Sequence, residues 1–255
     1  MTRSNSCKYS LTDLHTHILS EFDDGADSLE TALKMLRVQR KMGVDRVALT
    51  SHFYPLSEDL ETYLDRRQQA YTTLLSGWDK DTMPDLRLGA EVRYSPQLID
   101  VDLRTLTIGA GDYLLLELPN FVMPAYLEQM IDMMLMQGVF PILAHVERCE
   151  YFRYEPNLLQ RLICMGALAQ ISAKALKNKY DRRFAESCLK NGLAQIVASD
   201  AHDLSNREPC LGSVALKMHR ELILRAEKFA CAVWENKPHP TFTISSIKKS
   251  LWGYH

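Results

Sequence analysis

Five of the eight histidines lie in short motifs that also carry, or adjoin, carboxylates: Asp13-Leu14-His15-Thr16-His17, Thr50-Ser51-His52, Ala144-His145 and Ser199-Asp200-Ala201-His202. Glu91 closes Gly89-Ala90-Glu91, Glu117 follows Leu116, and Asp23-Asp24-Gly25 comes soon after the first motif. Alternate residues of an extended strand share a face, so His15 and His17 can bind one ion together, as can Asp200 and His202. Imidazole and carboxylate without thiolate select Mn²⁺, Fe²⁺ or Zn²⁺. They argue against soft-ligand sites and against an all-oxygen Mg²⁺ or Ca²⁺ site. About nine such ligands suit two or three ions, with Glu91 the expected bridge.

Each motif taken alone has an ordinary alternative. A single H-x-H or D-x-H is a weak signal, and Glu91 and Glu117 could be helix caps or surface charge. Asp23-Asp24-Gly25 reads by itself as a turn with helix-capping chemistry, and His145 as a satisfied core histidine. The coincidence decides. Burying Glu91, Glu117 and Asp200 together would be heavily penalised by desolvation and like-charge repulsion, and divalent cations remove that penalty. His219, His239 and His255 fall in helical or terminal sequence and are not expected to take part.

Two arginines bear on the substrate. Arg148 trails His145 by three residues and Arg207 trails His202 by five. A guanidinium fork matches phosphate oxygens in a bidentate manner, which makes phosphate a better substrate than an amide. The six cysteines (Cys7, Cys149, Cys164, Cys188, Cys210, Cys231) form no C-x-x-C pair, and none is followed six residues later by arginine. They read as reduced, mostly buried thiols, and a cysteine-nucleophile phosphatase is disfavoured.

The elements that must position these groups follow a repeating grammar. Expected strands are Leu11–Leu14, Val44–Thr50, Leu86–Glu91, Tyr113–Leu118, Phe140–Ala144, Ala167–Ser172 and Gln195–Ser199. Between them, helical spacing marks Ser28–Met42, Glu58–Ser76, Tyr126–Gln137, Asn157–Met165 and Arg182–Asn191, with further helix over much of Val214–Asn236. Glycines 43, 138, 166 and 192 stop four of these helices. Strand, helix, glycine, strand is the pattern of a parallel α/β barrel or a doubly wound sheet. The barrel is favoured because the polar residues fall at strand ends, where barrel enzymes gather their sites at one mouth.

The 255 residues, 46% hydrophobic, supply one substantial core, and the expectation is a single domain over 1–255 with its core at about 11–240 and a tail at 241–255. A net charge of -2 gives no global basic field for nucleic acid. Met1 to Ser10 is polar, with Arg3 and Lys8, and no apolar h-region follows. Nor does any stretch approach a membrane span, so a soluble, cytoplasmic, non-embedded protein is expected.

Together the segments Asp13-Leu14-His15-Thr16-His17-Ile18, Asp23-Asp24-Gly25, Thr50-Ser51-His52, Gly89-Ala90-Glu91, Glu117, Ala144-His145-Val146-Glu147-Arg148 and Ala198-Ser199-Asp200-Ala201-His202 resemble the polymerase and histidinol phosphatase (PHP) superfamily. The likeness is closest to its branch of bacterial capsule-associated tyrosine phosphatases, the CpsB/YwqE-like proteins, and runs from about Leu11 to Pro240. The resemblance implies a distorted (β/α)7 barrel of TIM-like type. It implies metal ligands at His15, His17, Asp24, His52, Glu91, Glu117, His145, Asp200 and His202, and phosphate-binding arginines at Arg148 and Arg207. It further implies two or three divalent ions, Mn²⁺ first with Fe²⁺ or Zn²⁺ as alternatives. The reaction would be hydrolysis of phosphotyrosine by a metal-activated hydroxide, without a covalent phospho-enzyme. The implied partner is the tyrosine-rich tail of a bacterial autokinase that controls capsular or exopolysaccharide synthesis. The loop Phe53-Tyr54-Pro55 and the tail beyond Pro240 are least like the family.

Within the same superfamily the rival is a small-molecule phosphomonoesterase such as a histidinol-phosphate phosphatase. Asp23-Asp24-Gly25 and the Glu147-Arg148 pair tilt the reading to the tyrosine branch. An amidohydrolase barrel also begins with H-x-H but would typically need a bridging lysine, where this chain offers Glu91 and Glu117. A phosphotyrosine-binding module without catalysis is disfavoured by the intact ligand set. A proofreading nuclease is disfavoured by the charge balance.

Overall fold

The computed structural model describes residues 10–247, 249–250 and 253–254; the readings made for Arg3, Cys7, Lys8 and His255 lie outside the described residues. The chain opens with β1 (Leu11–Asp13), α1 (Leu29–Lys41), β2 (Val44–Leu49), β3 (His52–Phe53) and α2 (Leu60–Leu75). There follow β4 (Asp85–Leu88), β5 (Glu91–Arg93), β6 (Tyr113–Glu117), α3 (Leu127–Met136) and β7 (Phe140–Leu143). The last part holds α4 (Glu150–Tyr154), α5 (Pro156–Met165), β8 (Leu168–Ser172), α6 (Arg182–Lys190), β9 (Ile196–Ala198), α7 (Leu211–Ala215) and α8 (Arg220–Trp234). Local chemistry accounts for the boundaries. Ser28 and Asp59 cap α1 and α2 by accepting the N–H of Thr31 and Thr62. Gly166 ends α5 at φ 120°, a conformation that costs any residue with a Cβ.

The strands form two parallel ladders, β1-β2-β4 and β3-β5-β6-β7-β8-β9. The α/β class with parallel strands is therefore as expected. The ladders do not by themselves amount to a closed seven-stranded barrel; one parallel bridge, Thr16 to Ala201, joins the segment after β1 to that after β9.

One expected strand is interrupted, and at the same level its neighbour stops one residue short of the expected Thr50 before β3 begins. Leu86–Glu91 divides into β4 and β5 around Gly89-Ala90, and the strand beginning at Val44 stops at Leu49, with β3 starting at His52. The cause is a slip in pairing: Gly89 N–H donates to Leu49 O at 3.0 Å, whereas Glu91 N–H is shared between Thr50 O at 3.0 Å and Ser51 O at 3.2 Å. The slip places His52 directly opposite Glu91 in register. α4 and five short 3-10 turns, at Pro96–Asp100, Leu103–Leu106, Ile108–Ala110, Val146–Arg148 and Ala173–Leu176, were not foreseen. They are too short to leave a periodic trace.

Two apolar clusters hold these elements. The larger packs the helices against the strands through residues such as Leu36, Tyr63, Ile131, Leu159 and Phe184, all buried. The smaller draws Leu14, Ala48, Leu115, Ile142, Leu168 and Ile196 from successive strands or their ends and sets them against Phe229, Ala230, Val233 and Trp234 of α8. Burying each such Leu, Ile or Phe side chain is worth about 1.5–3 kcal/mol. All five described cysteines are free, and Cys149, Cys188 and Cys210 are buried, in keeping with reduced thiols. Among the described residues no helix is long and apolar enough to cross a membrane.

Candidate metal centre

Glu91, at the start of β5, stands at the middle of a buried polar cluster. Its Oε2 lies 3.0 Å from His15 Nε2, 3.1 Å from His17 Nε2 and 3.2 Å from His52 Nδ1, and its Oε1 lies 2.8 Å from His145 Nε2. One carboxylate thus meets four imidazoles from three separate stretches of chain. Its own exposure is 1%.

Backbone pairing explains how the other groups arrive. Asp200 N–H donates to His15 O at 2.9 Å and His17 N–H to Ala201 O at 2.8 Å, so the first and last motifs run side by side. Asp200 Oδ1 sits 3.3 Å from His15 Nε2 and 3.6 Å from His202 Nδ1. The His17 and His202 rings stack with centroids 3.8 Å apart. Asp24 Oδ1 reaches His52 Nε2 at 3.5 Å and His202 Nε2 at 3.4 Å. Glu117, ending β6, lies 3.9 Å from His52 Nδ1 and is held by Arg93 at 2.8 Å. His145 (φ 32°) and Asp200 (φ 55°) both occupy left-handed backbone, which is uncommon for non-glycine residues although Asp and His are among the types that enter it most readily.

Potential ligand atoms gather into three groups, each within 4.8 Å: His15, His17, Glu91 and Asp200; His17, Asp24, His52 and His202; His52, Glu91 and Glu117. The groups adjoin through the shared residues His17, His52 and Glu91. His145 joins through Glu91. All nine expected positions therefore converge.

The donor chemistry fits divalent transition metal. His15 Nδ1 faces Gln170 Oε1 at 3.2 Å, His17 Nδ1 faces Asp23 Oδ2 at 2.8 Å, and His202 Nδ1 faces the Asp200 carbonyl at 2.9 Å. Each acceptor holds a proton on Nδ1, so that once Nε2 gives up its own proton to a metal the ring is in the tautomer a metal-binding histidine requires. His15 Nε2 and His17 Nε2 then face each other at 3.1 Å, an arrangement that needs a proton or a cation. Buried His52 Nδ1, His145 Nδ1, His202 Nε2 and Glu117 Oε2 have no hydrogen-bond partner.

The electrostatics agree. Burial opposes charge on His17, yet Asp23 and Glu91 hold its pKa up to about 10. Burial and the neighbouring His17 push His202 down to about 4. Burial alone would raise the pKa of Glu91, but His15, His145 and His17 hold it well below the usual carboxylate range.

Arg148 and Arg207 flank the cluster. Arg148 pairs with Asp200, and Arg207 Nη2 donates to Asp24 Oδ2 at 2.7 Å. Both are partly exposed at the mouth, with side-chain exposures of 40% and 35%.

Several supporting residues had no role of their own in the sequence reading, although Asp13, Asp23 and Gly25 lie in its motifs. Asp23 Oδ2 accepts from His17 Nδ1 and, at 2.9 Å, from His52 N–H, while its Oδ1 accepts from Gly25 N–H at 3.0 Å. Gly25 is required there, because a Cβ would stand 2.1 Å from the His17 carbonyl oxygen. Gln170 also accepts the His145 N–H at 2.8 Å. Asp13, whose carboxyl burial pushes up to about 6, accepts the Ser199 N–H at 2.9 Å and so ties β1 to the end of β9. The available signal for Gln170 was a lone amide within an otherwise apolar strand. For Asp23 it was only adjacency to Asp24.

Residues 11–228 match the model of the capsular polysaccharide synthesis family CpsB/CapC. The chain belongs to the CpsB/CapC family. Among its relatives, CapC of Staphylococcus aureus is 30% identical over 203 residues, 77% of this chain and 79% of that protein. The tyrosine-protein phosphatase YwqE of Bacillus subtilis is 29% identical over 204 residues, covering 77% and 79%. The tyrosine-protein phosphatase CpsB of Streptococcus pneumoniae is 27% identical over 217 residues, covering 78% and 86%. The CpsB/CapC fold is also evident in three dimensions. A chain from the crystal structures of B. subtilis YwqE and S. pneumoniae CpsB, described as unique metal-dependent tyrosine phosphatases, superposes with a TM-score of 0.81 at 24% identity, covering 93% of this chain and all of that one.

Proposed function

We propose that this CpsB/CapC-family chain is a metal-dependent protein-tyrosine phosphatase, with His15, His17, Asp24, His52, Glu91, Glu117, His145, Asp200 and His202 as the metal ligands. The observation that carries the reading is Glu91, one buried carboxylate in contact with four imidazoles. Three adjoining ligand groups suit two or three ions, Mn²⁺ first and Fe²⁺ or Zn²⁺ as alternatives. When bound, such ions supply Lewis-acid charge that lowers the pKa of a water and offsets phosphoryl charge.

The chain's own residues supply the rest. Arg148 and Arg207 exchange Asp200 and Asp24 for phosphoryl oxygens, orienting the phosphate over the cluster and countering its developing charge. Asp23, Gln170 and the Asp200 carbonyl keep three histidines in the ligating tautomer. The leaving tyrosine has a pKa near 10, so it departs with less proton assistance than an alkyl alcohol needs. The small-molecule alternative, a histidinol-phosphate phosphatase, is not favoured by the relatives. We further infer that the two ladders with the Thr16–Ala201 bridge make a distorted (β/α)7 barrel and that residues 1–255 form one such domain. The physiological substrate would be the phosphorylated tail of a tyrosine autokinase in capsule or exopolysaccharide synthesis, met in the cytoplasm.

Chelated protein restored with Mn²⁺ is expected to hydrolyse a phosphotyrosine peptide and to turn over histidinol phosphate poorly. No hydrolysis of phosphotyrosine or of any aryl phosphate after restoration sinks the reading.

A further inference from the structure

Beside the metal cluster lies a second concavity of about 340 Å³, between the 3-10 turn after β8 and the loop after β9. Its inner wall is Asp200, Arg148 and Arg207, and its outer wall carries Lys174 and Lys177 with Glu208. The lysines are anchored by modest contacts: Lys174 Nζ donates to Asn206 O at 2.9 Å, and Lys177 Nζ meets Glu208 Oε1 at 2.9 Å. Lys177 and Glu208 are 44% and 50% exposed, and an ion pair so exposed contributes little and yields readily to another anion. Asp200 faces the histidines of the cluster. With Arg148 and Arg207 turned to the phosphoryl group, the outer wall offers Lys174 and Lys177 against the single acid Glu208. Neither lysine has a role in the chemistry derived above, since neither contacts a candidate metal ligand.

We propose that this concavity is a specificity subsite for an anionic group flanking the phosphotyrosine, with Lys174 and Lys177 as its recognition residues. The claim rests on the phosphatase reading and extends it to substrate sequence. A phosphoryl group held between Arg148 and Arg207 leaves its peptide running over the rim, and a neighbouring carboxylate or second phosphoryl group can reach the lysines. A small aryl phosphate cannot.

The test compares kcat/KM of the Mn²⁺-restored enzyme on three phosphotyrosine peptides: neutral flanks, Glu and Asp flanks, and a second phosphotyrosine. 4-Nitrophenyl phosphate serves as the reference substrate. The subsite predicts that either anionic peptide exceeds the neutral one by about tenfold at low salt, and that the preference shrinks as salt rises. It predicts a ratio near one in Lys174→Ala/Lys177→Ala. Lys174→Gln/Lys177→Gln gives the same readout should the alanine variant fold poorly. Which anionic peptide leads identifies carboxylate or phosphate as the better occupant. A wild-type ratio of one, or a ratio unchanged in a folded double variant, overturns the subsite while leaving the phosphatase standing. Failure on 4-nitrophenyl phosphate itself overturns the phosphatase reading and the subsite with it.

Discussion

At the residue scale, the site depends on proton positions as much as on ligand identity. Asp23 is a positioning residue: it holds the proton of His17 on Nδ1 and accepts the backbone N–H of His52. Asp23→Asn is expected to lower Mn²⁺ affinity and phosphatase activity by about 10–100-fold, the usual consequence of losing an acceptor behind a metal-binding histidine. Equilibrium dialysis against Mn²⁺ reads this directly, and unchanged metal affinity would refute the role. His17 gives a pH prediction. With its pKa held up to about 10 by Asp23 and Glu91 against the cost of burial, its Nε2 is protonated at neutral pH in the metal-free protein. Ligation must displace that proton, so affinity should rise with pH, and Mn²⁺ added to chelated protein near pH 7 should release protons. Calorimetry in buffers of different ionisation enthalpy measures the release; a value of zero contradicts the assignment. The linked stability has a definite sign. A folded-state pKa raised from 6.5 to about 10 stabilises metal-free protein fully below pH 6.5, and this contribution is lost as pH rises toward 10. The ligands themselves were legible from sequence, since histidines spaced by two and carboxylates at strand ends leave a pattern. Asp23 and Gln170 were not, because hydrogen bonds to the backs of imidazoles depend on tertiary placement.

At the element scale, the strands and helix stops were readable because parallel strands buried on both faces give nearly continuous apolar runs, as in Tyr113–Leu116 of β6. The breaks at Leu49–His52 and Leu88–Glu91 were not. A slip of pairing between neighbouring strands leaves the hydrophobic pattern intact while turning Glu91 and His52 toward each other. The expected closed barrel likewise needed long-range pairing that no local pattern encodes. α8 makes a separate prediction. Phe229 is buried in the smaller cluster with Leu14 and Ile196, and none of the nine ligands belongs to that cluster. Phe229→Ala should cost about 3–5 kcal/mol in chemical denaturation while leaving metal content per folded molecule unchanged. Loss of metal without loss of stability would mean that α8 reaches the site by another route.

At the scale of the whole molecule, ions bound only by the folded chain stabilise it by mass action. Free Mn²⁺ at about 100 times its dissociation constant adds about 2.7 kcal/mol per independent site, so chelation should lower Tm and re-addition restore it. Differential scanning calorimetry with and without chelator checks this, and a Tm indifferent to metal removes the cluster's claimed role. The balance of charge was readable too: with a net charge of -2, no global positive field draws anions, and the basic wall beside the mouth is a local feature. The left-handed backbone at His145 and Asp200 carries one more consequence. Each costs about 1–2 kcal/mol relative to a residue free of that steric conflict, so the chemistry is maintained against the fold's own preference. Glycine at 145 or 200 removes that cost together with the ligand, so His145→Gly and Asp200→Gly should lose metal affinity while the metal-free protein melts no earlier than its parent.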